Sequence, residues 1–511
     1  MYAKPVFLYF SRKESPPLAL KCSGTRLLCI SFQTIVMTKG DRMVFSSLEF
    51  IFLFLPAFLL IYGCVPAKYK NAVIFISSIF FYSMGFSDLG KEKRFLYTSL
   101  FLLTVLFNFI IGEFISNFRK ASKVWLVIGI IFNFWWLLFF KYTGFAVENV
   151  NSLFGADFTV KNIILPIGIS FYTFQNVSYI IDVYRKNAES ENSFINYGAY
   201  ISMFPQLIAG PIVTYNTVAE QLKKRTHSIK KVENGLKTFT IGLGYKVLLA
   251  NQLGGLWSDL RMIGYESIST PLAWMGIIAY SFQLYFDFMG YSYMAMGLGE
   301  IMGFTIPKNF DYPYLSVTMT EFWRRWHITL GSWFREYIYI PLGGNRKGTA
   351  KLIRNSLIVW FFTGLWHGAS WNFVLWGLVL FGLIMLEKFV LGDFLNKYRF
   401  VGHIYMILAI PLTWLLFAVT DFGDLGQYFS RLFGSDAGSE IIVNGKDYVK
   451  YWGIYGKFFI AGLIFSTRIP ELIYKKIKSS LFCAVLLLAV FWASVYCMYK
   501  GMNDPFLYFR F

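Results

Sequence analysis

Long uncharged runs of Leu, Ile, Phe, Val and Trp, separated by short basic segments, dominate residues 43–511. Crossing a hydrocarbon layer as a helix takes about 20 such residues at about 1.5 Å each. Runs long enough, or nearly so, occur near 44–63, 71–86, 95–117, 124–140, 196–214, 235–257, 272–303, 355–386, 403–420, 449–466 and 480–499. Two more, 162–181 and 317–343, are apolar but interrupted by polar residues, Gly or Pro. Those suit re-entrant or interfacial helices buried by protein. The pattern predicts an all-α polytopic membrane protein with about eleven transmembrane helices and these two partial elements.

Composition changes this picture little. Hydrophobic residues make up 56% of the 511 positions and charged residues only 15%, against about 25% charged in soluble domains. The net charge of +19 does not call for a nucleic acid. Its bases gather in 118–123, 223–233, 343–354 and 474–478, as the positive-inside bias arranges them, and no soluble domain accompanies them. These loops are assigned to the cytoplasm. Loop 421–450, with Asp421, Asp424, Asp436, Glu440 and Asp447, is assigned outside.

Cys22, Cys29, Cys64, Cys483 and Cys497 form no C-x-x-C pair and read as small apolar residues. No internal repeat supports a transporter built from inverted halves. Residues 1–42 differ from the rest: SRKESPPLALKCSGTRL is basic, and LLCISFQTIVM is too short to span. They read as a disordered tail or an upstream mis-start, with Met43 opening the membrane domain 43–511.

Against this background His367 stands out, because it lies inside the uncharged run from Asn355 to Leu386. A titratable ring at lipid depth is costly and marks a functional site by default. As one straight helix the run would approach about 48 Å, beyond a hydrocarbon core of roughly 30 Å. A break is therefore expected between Gly364 and Gly368. It would leave His367 near helix ends, with Trp366 and Trp371 walling the site and Gly368, Ala369 and Ser370 leaving room for a substrate. Neutral imidazole is suited to taking a proton from a hydroxyl. A structural histidine bonded between helices is the competing reading, and composition alone leaves it open.

A second histidine sits in SVTMTEFWRRWHITLGSWFREYIYIPLGG, residues 316–344. Thr318 and Glu321 fit a capping box. Trp323, His327, Leu330 and Phe334 then share one helical face, and Pro341 with Gly343 and Gly344 stops the element. This predicts one amphipathic, Trp-rich interfacial helix, on which His327 is either an ordinary hydrogen-bonded side chain or part of a site. No metal site is expected, since neither H-x-x-x-H nor a Cys/His pair occurs. Nucleophilic-serine, Walker and dinucleotide motifs are also absent. A base acting on a bound hydroxyl that attacks an activated acyl donor fits these residues better.

Four stretches together resemble the membrane-bound O-acyltransferase family, and within it the alginate O-acetyltransferase branch. They are MVFSSLEFIFLFLP (43–56), LPIGISFYTFQNVSYIIDVYR (165–185), FWRRWHITLGSWFREYIYIPLGGNR (322–346) and GLWHGASWNFVLWG (364–377), with PFLYFRF (505–511) as a further match. The resemblance implies helices ringing a thinned central funnel and transfer of an acyl group, usually acetyl, to a hydroxyl destined for the exterior. It makes His367 the essential catalytic residue and gives His327 a supporting role or one on the acyl-donor path. It also implies a polysaccharide acceptor, an extracytoplasmic SGNH-type esterase-like partner and residence in the bacterial cytoplasmic membrane.

No cofactor is expected to reside in the protein; acetyl-CoA or another acyl thioester would be a co-substrate. Its phosphates would lie near Arg324, Arg325, Arg335, Arg346 and Lys347, where charge-assisted contacts are available. Asn372, Gln283 and Asp287 could orient the reacting pieces. The rival readings are a transporter or flippase for a glycan or lipid-linked precursor, with the histidines as a proton relay, and a scaffold for a polysaccharide synthase.

Overall fold

The computed structural model describes residues 43–160, 163–208, 210–346, 348–434, 443–501 and 507. The amino-terminal extension with Cys22 and Cys29, Lys347, Asp436, Glu440 and all of PFLYFRF except Leu507 lie outside the described residues. Every regular element among the described residues is helical.

Ten of the helices are α1 (Lys91–Asn117), α2 (Ser122–Phe154), α3 (Ile169–Arg185), α4 (Ile229–Gly244), α5 (Thr270–Met302), α6 (Met319–Arg325), α7 (Ile328–Phe334), α8 (Thr349–His367), α9 (Trp371–Leu386) and α10 (Arg399–Ala418). Five described segments are long and apolar enough to cross a membrane: Lys91–Asn117, Arg119–Phe154, Trp371–Lys397, Arg399–Ala418 and Leu481–Tyr499. The expected count of about eleven is not confirmed. Several runs read as spans are largely buried within the protein. The 196–214 run breaks into Phe194–Ser202 and Phe204–Leu207, where Pro205 starts a new helix. Helix α5 is buried along nearly its whole length and carries Gln283, Asp287 and Glu300.

Close backbone contact holds α4 to α5. Gly235 faces Gly297, and Gly242 faces Gly290, seven residues apart on each helix. A Cβ on Gly242 would come within 2.5 Å of the Gly290 carbonyl oxygen, so only glycine permits this approach. Just beyond α4, Lys246 pairs with Asp287 of α5 at 2.6 Å, both side chains almost fully buried. The second Asp287 oxygen accepts from the Leu507 amide at 2.8 Å. Between α1 and α2, Asn108 and Asn133 exchange side-chain hydrogen bonds of 3.1 and 2.6 Å. That reciprocity satisfies both buried amides.

Bases in or near these segments reach into neighbouring elements. Arg119 donates to the Val183 carbonyl, Arg185 pairs with Glu336, Arg354 donates to the Leu342 carbonyl, and Lys237 reaches the Lys478 carbonyl.

Candidate functional site

Helix α8 ends at His367, Gly368 to Ser370 are non-helical, and α9 opens at Trp371, so the length-imposed break falls just after the histidine. The two helices form a tight hairpin because Gly364 and Gly377 meet. A Cβ on Gly364 would lie 2.4 Å from the Phe373 carbonyl oxygen. The hairpin turns the His367 ring into an aromatic box. Trp366, Trp376 and Phe417 stand edge-on to it at centroid distances of 4.9, 5.1 and 5.2 Å. Only 7% of the residue is exposed.

The single helix expected around His327 is two helices. Thr318 caps α6 by accepting from the Glu321 amide at 3.1 Å, while the Glu321 carboxylate returns to the Val317 amide, one residue earlier than a capping box requires. The helix then stops at Arg325. The preceding loop intervenes: the Asp311 amide donates to the Arg325 carbonyl, and Ile328 and Thr329 donate to Asn309. His327 adopts a left-handed backbone, φ 45° and ψ 53°, and becomes the N-cap of α7. Its Nδ1 accepts from the Leu330 amide at 3.4 Å. In the neutral ring the proton therefore sits on Nε2, which is buried and meets no protein partner among the described residues. His327 is 2% exposed, with Phe288 edge-on at 4.6 Å and Trp366 at 6.0 Å.

Both histidines line one cavity of about 290 Å³. Its walls are mainly aromatic and include Trp323, Trp326, Trp360 and Phe334, with Arg335, Tyr339, Ser356 and Thr363 as polar points. Tyr339 and Ser356 also line a groove of about 530 Å³, which carries Arg324, Lys388 and Arg399. Arg335 borders a third depression of about 460 Å³ on the other side of α7.

The structure distributes the remaining sequence candidates widely. Arg324 and Arg335 are exposed and line the groove and the cavity respectively. Arg325 is committed to Glu321 at 2.6 Å, Arg346 is exposed and lines neither space, and Lys347 lies outside the described residues. Trp366 is buried and touches both histidine rings. Trp371, by contrast, is 55% exposed and faces α2, donating to Asn149 at 2.8 Å. Asn372 is buried and donates to the Leu416 carbonyl, tying α9 to α10. Gln283 packs its amide on Gly254, and Asp287 holds Lys246; neither lines the cavity.

Sequence reasoning did not single out Trp376, Phe417, Lys388, Arg399 or Lys141. Lys141 carried a readable signal, a lone cation closing the apolar run VWLVIGIIFNFWWLLFF (124–140) of α2. Lys388 and Arg399 gave none, because only folding brings them beside Arg324.

The profile of MBOAT, the membrane-bound O-acyltransferase family, matches residues 76–420, a region that holds both histidines. The chain is 37% identical over 399 residues to the probable alginate O-acetylase AlgI of Azotobacter vinelandii, covering 76% of this chain and 78% of that one. It is 38% identical over 400 residues to the probable alginate O-acetylase AlgI of Pseudomonas putida, covering 76% and 80%. It is also 36% identical over 363 residues to the peptidoglycan O-acetyltransferase of Helicobacter pylori, covering 64% and 67%.

Proposed function

The chain belongs to the membrane-bound O-acyltransferase family, and from that premise we propose that it O-acetylates an extracytoplasmic polysaccharide of alginate type. It is a membrane acyltransferase. The donor in this reading is a cytoplasmic thioester, acetyl-CoA or a comparable acyl carrier. The observation that supports it most directly is the single aromatic cavity lined by His327 and His367, with an Arg-bearing groove adjoining it.

The thioester enters from the end carrying the basic loops. Its phosphates lie along the groove beside Arg324, Lys388 and Arg399, where charge-assisted hydrogen bonds are available. Arg335 faces the donor nearer the acyl end. The acyl group then reaches the cavity. Here His367 takes the proton of the acceptor hydroxyl as its oxygen attacks the thioester carbonyl carbon. The carbonyl oxygen, now carrying charge, accepts from the Nε2–H of His327, a donor whose tautomer is already set. The C–O bond forms, the C–S bond breaks, and the leaving thiolate recovers the proton from the His367 imidazolium. Aromatic walls exclude water that would otherwise hydrolyse the thioester.

Delivery to the polymer involves an extracytoplasmic SGNH-type esterase-like partner, and the protein resides in a bacterial cytoplasmic membrane. A transporter reading gains nothing from the acyltransferase relatives. The test uses the full chain in proteoliposomes together with the extracytoplasmic esterase-like partner, supplied with radiolabelled acetyl-CoA and alginate oligosaccharides. Release of CoA thiol with label in the oligosaccharide is expected, and His367→Ala should lower the rate at least about 10²-fold. Undiminished acetylation by that variant, at matched protein levels, would overturn the reading.

A further inference from the structure

The last carbonyls of an α-helix have no donor within the helix and need one from elsewhere. Helix α8 ends on His367, and the chain leaves it through an extended Gly368, φ −162°, without a left-handed C-terminal turn. Its terminal carbonyls are instead taken by two consecutive side chains of α2. Lys141 Nζ donates to the Trp366 carbonyl at 2.5 Å and to the His367 carbonyl at 3.1 Å. Tyr142 Oη donates to the Leu365 carbonyl at 2.5 Å. Three successive carbonyls are thus fixed by one dipeptide lying 223 to 226 residues away in sequence.

A lysine within an apolar span carries a desolvation cost that a leucine would avoid. It also suits this place, since the negative end of a helix favours a cation. Lys141 does not line the cavity that holds the His367 and His327 rings, so it has no direct route to the reacting atoms. What it touches is the backbone of the histidine itself. A ring whose Cα is tethered and whose sides meet Trp366, Trp376 and Phe417 has little freedom left to swing.

We propose that Lys141 and Tyr142 form a positioning clamp that fixes the end of α8 and so aims the His367 imidazole into the cavity. The proposal rests on the reading of His367 as the base. Displacing a catalytic group by about 1 Å can cost on the order of 10²-fold in rate. Loosening the clamp therefore alters turnover while leaving the donor groove intact.

The experiment compares Lys141→Met, Lys141→Arg, Tyr142→Phe and His367→Ala in full-length protein in proteoliposomes with the extracytoplasmic esterase-like partner present, acetyl-CoA as donor and alginate oligosaccharides as the hydroxyl probe. Lys141→Met is expected to lower kcat roughly 10- to 100-fold with KM for acetyl-CoA within about twofold. Lys141→Arg, which can donate to both carbonyls, should recover most of the loss, and Tyr142→Phe should fall between. Wild-type kcat in Lys141→Met, equal impairment of the Met and Arg variants, or a rise in KM matching the fall in rate would each overturn the clamp. Should Lys141→Met fail to accumulate, Tyr142→Phe decides: lowered kcat at constant KM supports the clamp, and unchanged kcat overturns it. Undiminished activity in His367→Ala sinks the base assignment itself, so the two failures are distinguishable.

Discussion

The Leu330 amide points at Nδ1 of His327, 3.4 Å away, and this one contact decides which end of the ring can act. With Nδ1 accepting, Nε2 carries the proton, and it is buried without a protein hydrogen-bond partner in a residue that lines the cavity. If that donor steadies the thioester oxygen, glutamine and asparagine should not be equivalent replacements. His327→Gln can place an amide N–H near the Nε2 position, whereas His327→Asn places one near Nδ1. Asparagine is the residue that better tolerates the left-handed backbone at this position. The expected order of kcat is nevertheless wild type, then Gln, then Asn and Ala. Removing the donor altogether should cost about 10²- to 10³-fold. Steady-state rates of CoA release at saturating acetyl-CoA check this; an Asn variant outperforming Gln would refute the donor role.

Gly242 and Gly290 mark where α4 and α5 touch backbone to backbone. Gly242→Ala puts a methyl group 2.5 Å from a carbonyl oxygen that belongs to a second helix and cannot step aside alone. Overpacking of this kind costs about 1–3 kcal/mol. The melting midpoint of detergent-solubilised protein, followed by size-exclusion fluorescence, should fall for Gly242→Ala. Gly63→Ala is the control, because nothing lies within 4 Å of the added Cβ. Equal midpoints for the two variants would show that the helices are not packed this tightly.

His367 was legible because a titratable ring inside an uncharged run is a chemical anomaly that needs no alignment to notice. The break beside it followed from length alone. The break at His327 was hidden. Trp323, His327, Leu330 and Phe334 satisfy a helical face, and the groups that interrupt the helix, Asn309 and Asp311, belong to a loop paired to it only in the fold. The span count is left unconfirmed for a related reason. Helices facing lipid and helices facing protein draw on the same apolar residues, so the pattern alone does not separate α5, which other helices surround, from a lipid-facing span. Arg324 and Arg325 could be told apart in part. Glu321 stands four residues before Arg325, the spacing at which helical ion pairs form.

Lys246 and Asp287 form an ion pair with both side chains nearly fully buried. Removing one partner strands a charge in a low-dielectric interior, at a cost of about 3–5 kcal/mol. Lys246→Met and Asp287→Leu should each lower the detergent melting midpoint strongly, while the double variant should be more stable than either single one. Asp287→Asn adds resolution, because it retains an acceptor for the Leu507 amide while losing the charge. Additive losses in the double variant would mean that the two residues act independently.

If the donor's acyl group occupies the histidine cavity, as proposed above, its aromatic walls set how long a chain it accepts. Trp360 lines this cavity of about 290 Å³, packed edge-on against Trp323 at 5.1 Å. Each methylene that gains or loses a fitting pocket shifts specificity by about 1–3 kcal/mol. Trp360→Leu removes wall without touching either histidine. It should raise kcat/KM for butyryl-CoA relative to acetyl-CoA at least about tenfold, with acetyl transfer itself reduced only modestly. Competition between the two donors, read by mass spectrometry of the acylated oligosaccharides, measures the ratio directly. A ratio unchanged from wild type would place the acyl chain somewhere other than this cavity, even if both histidines proved essential.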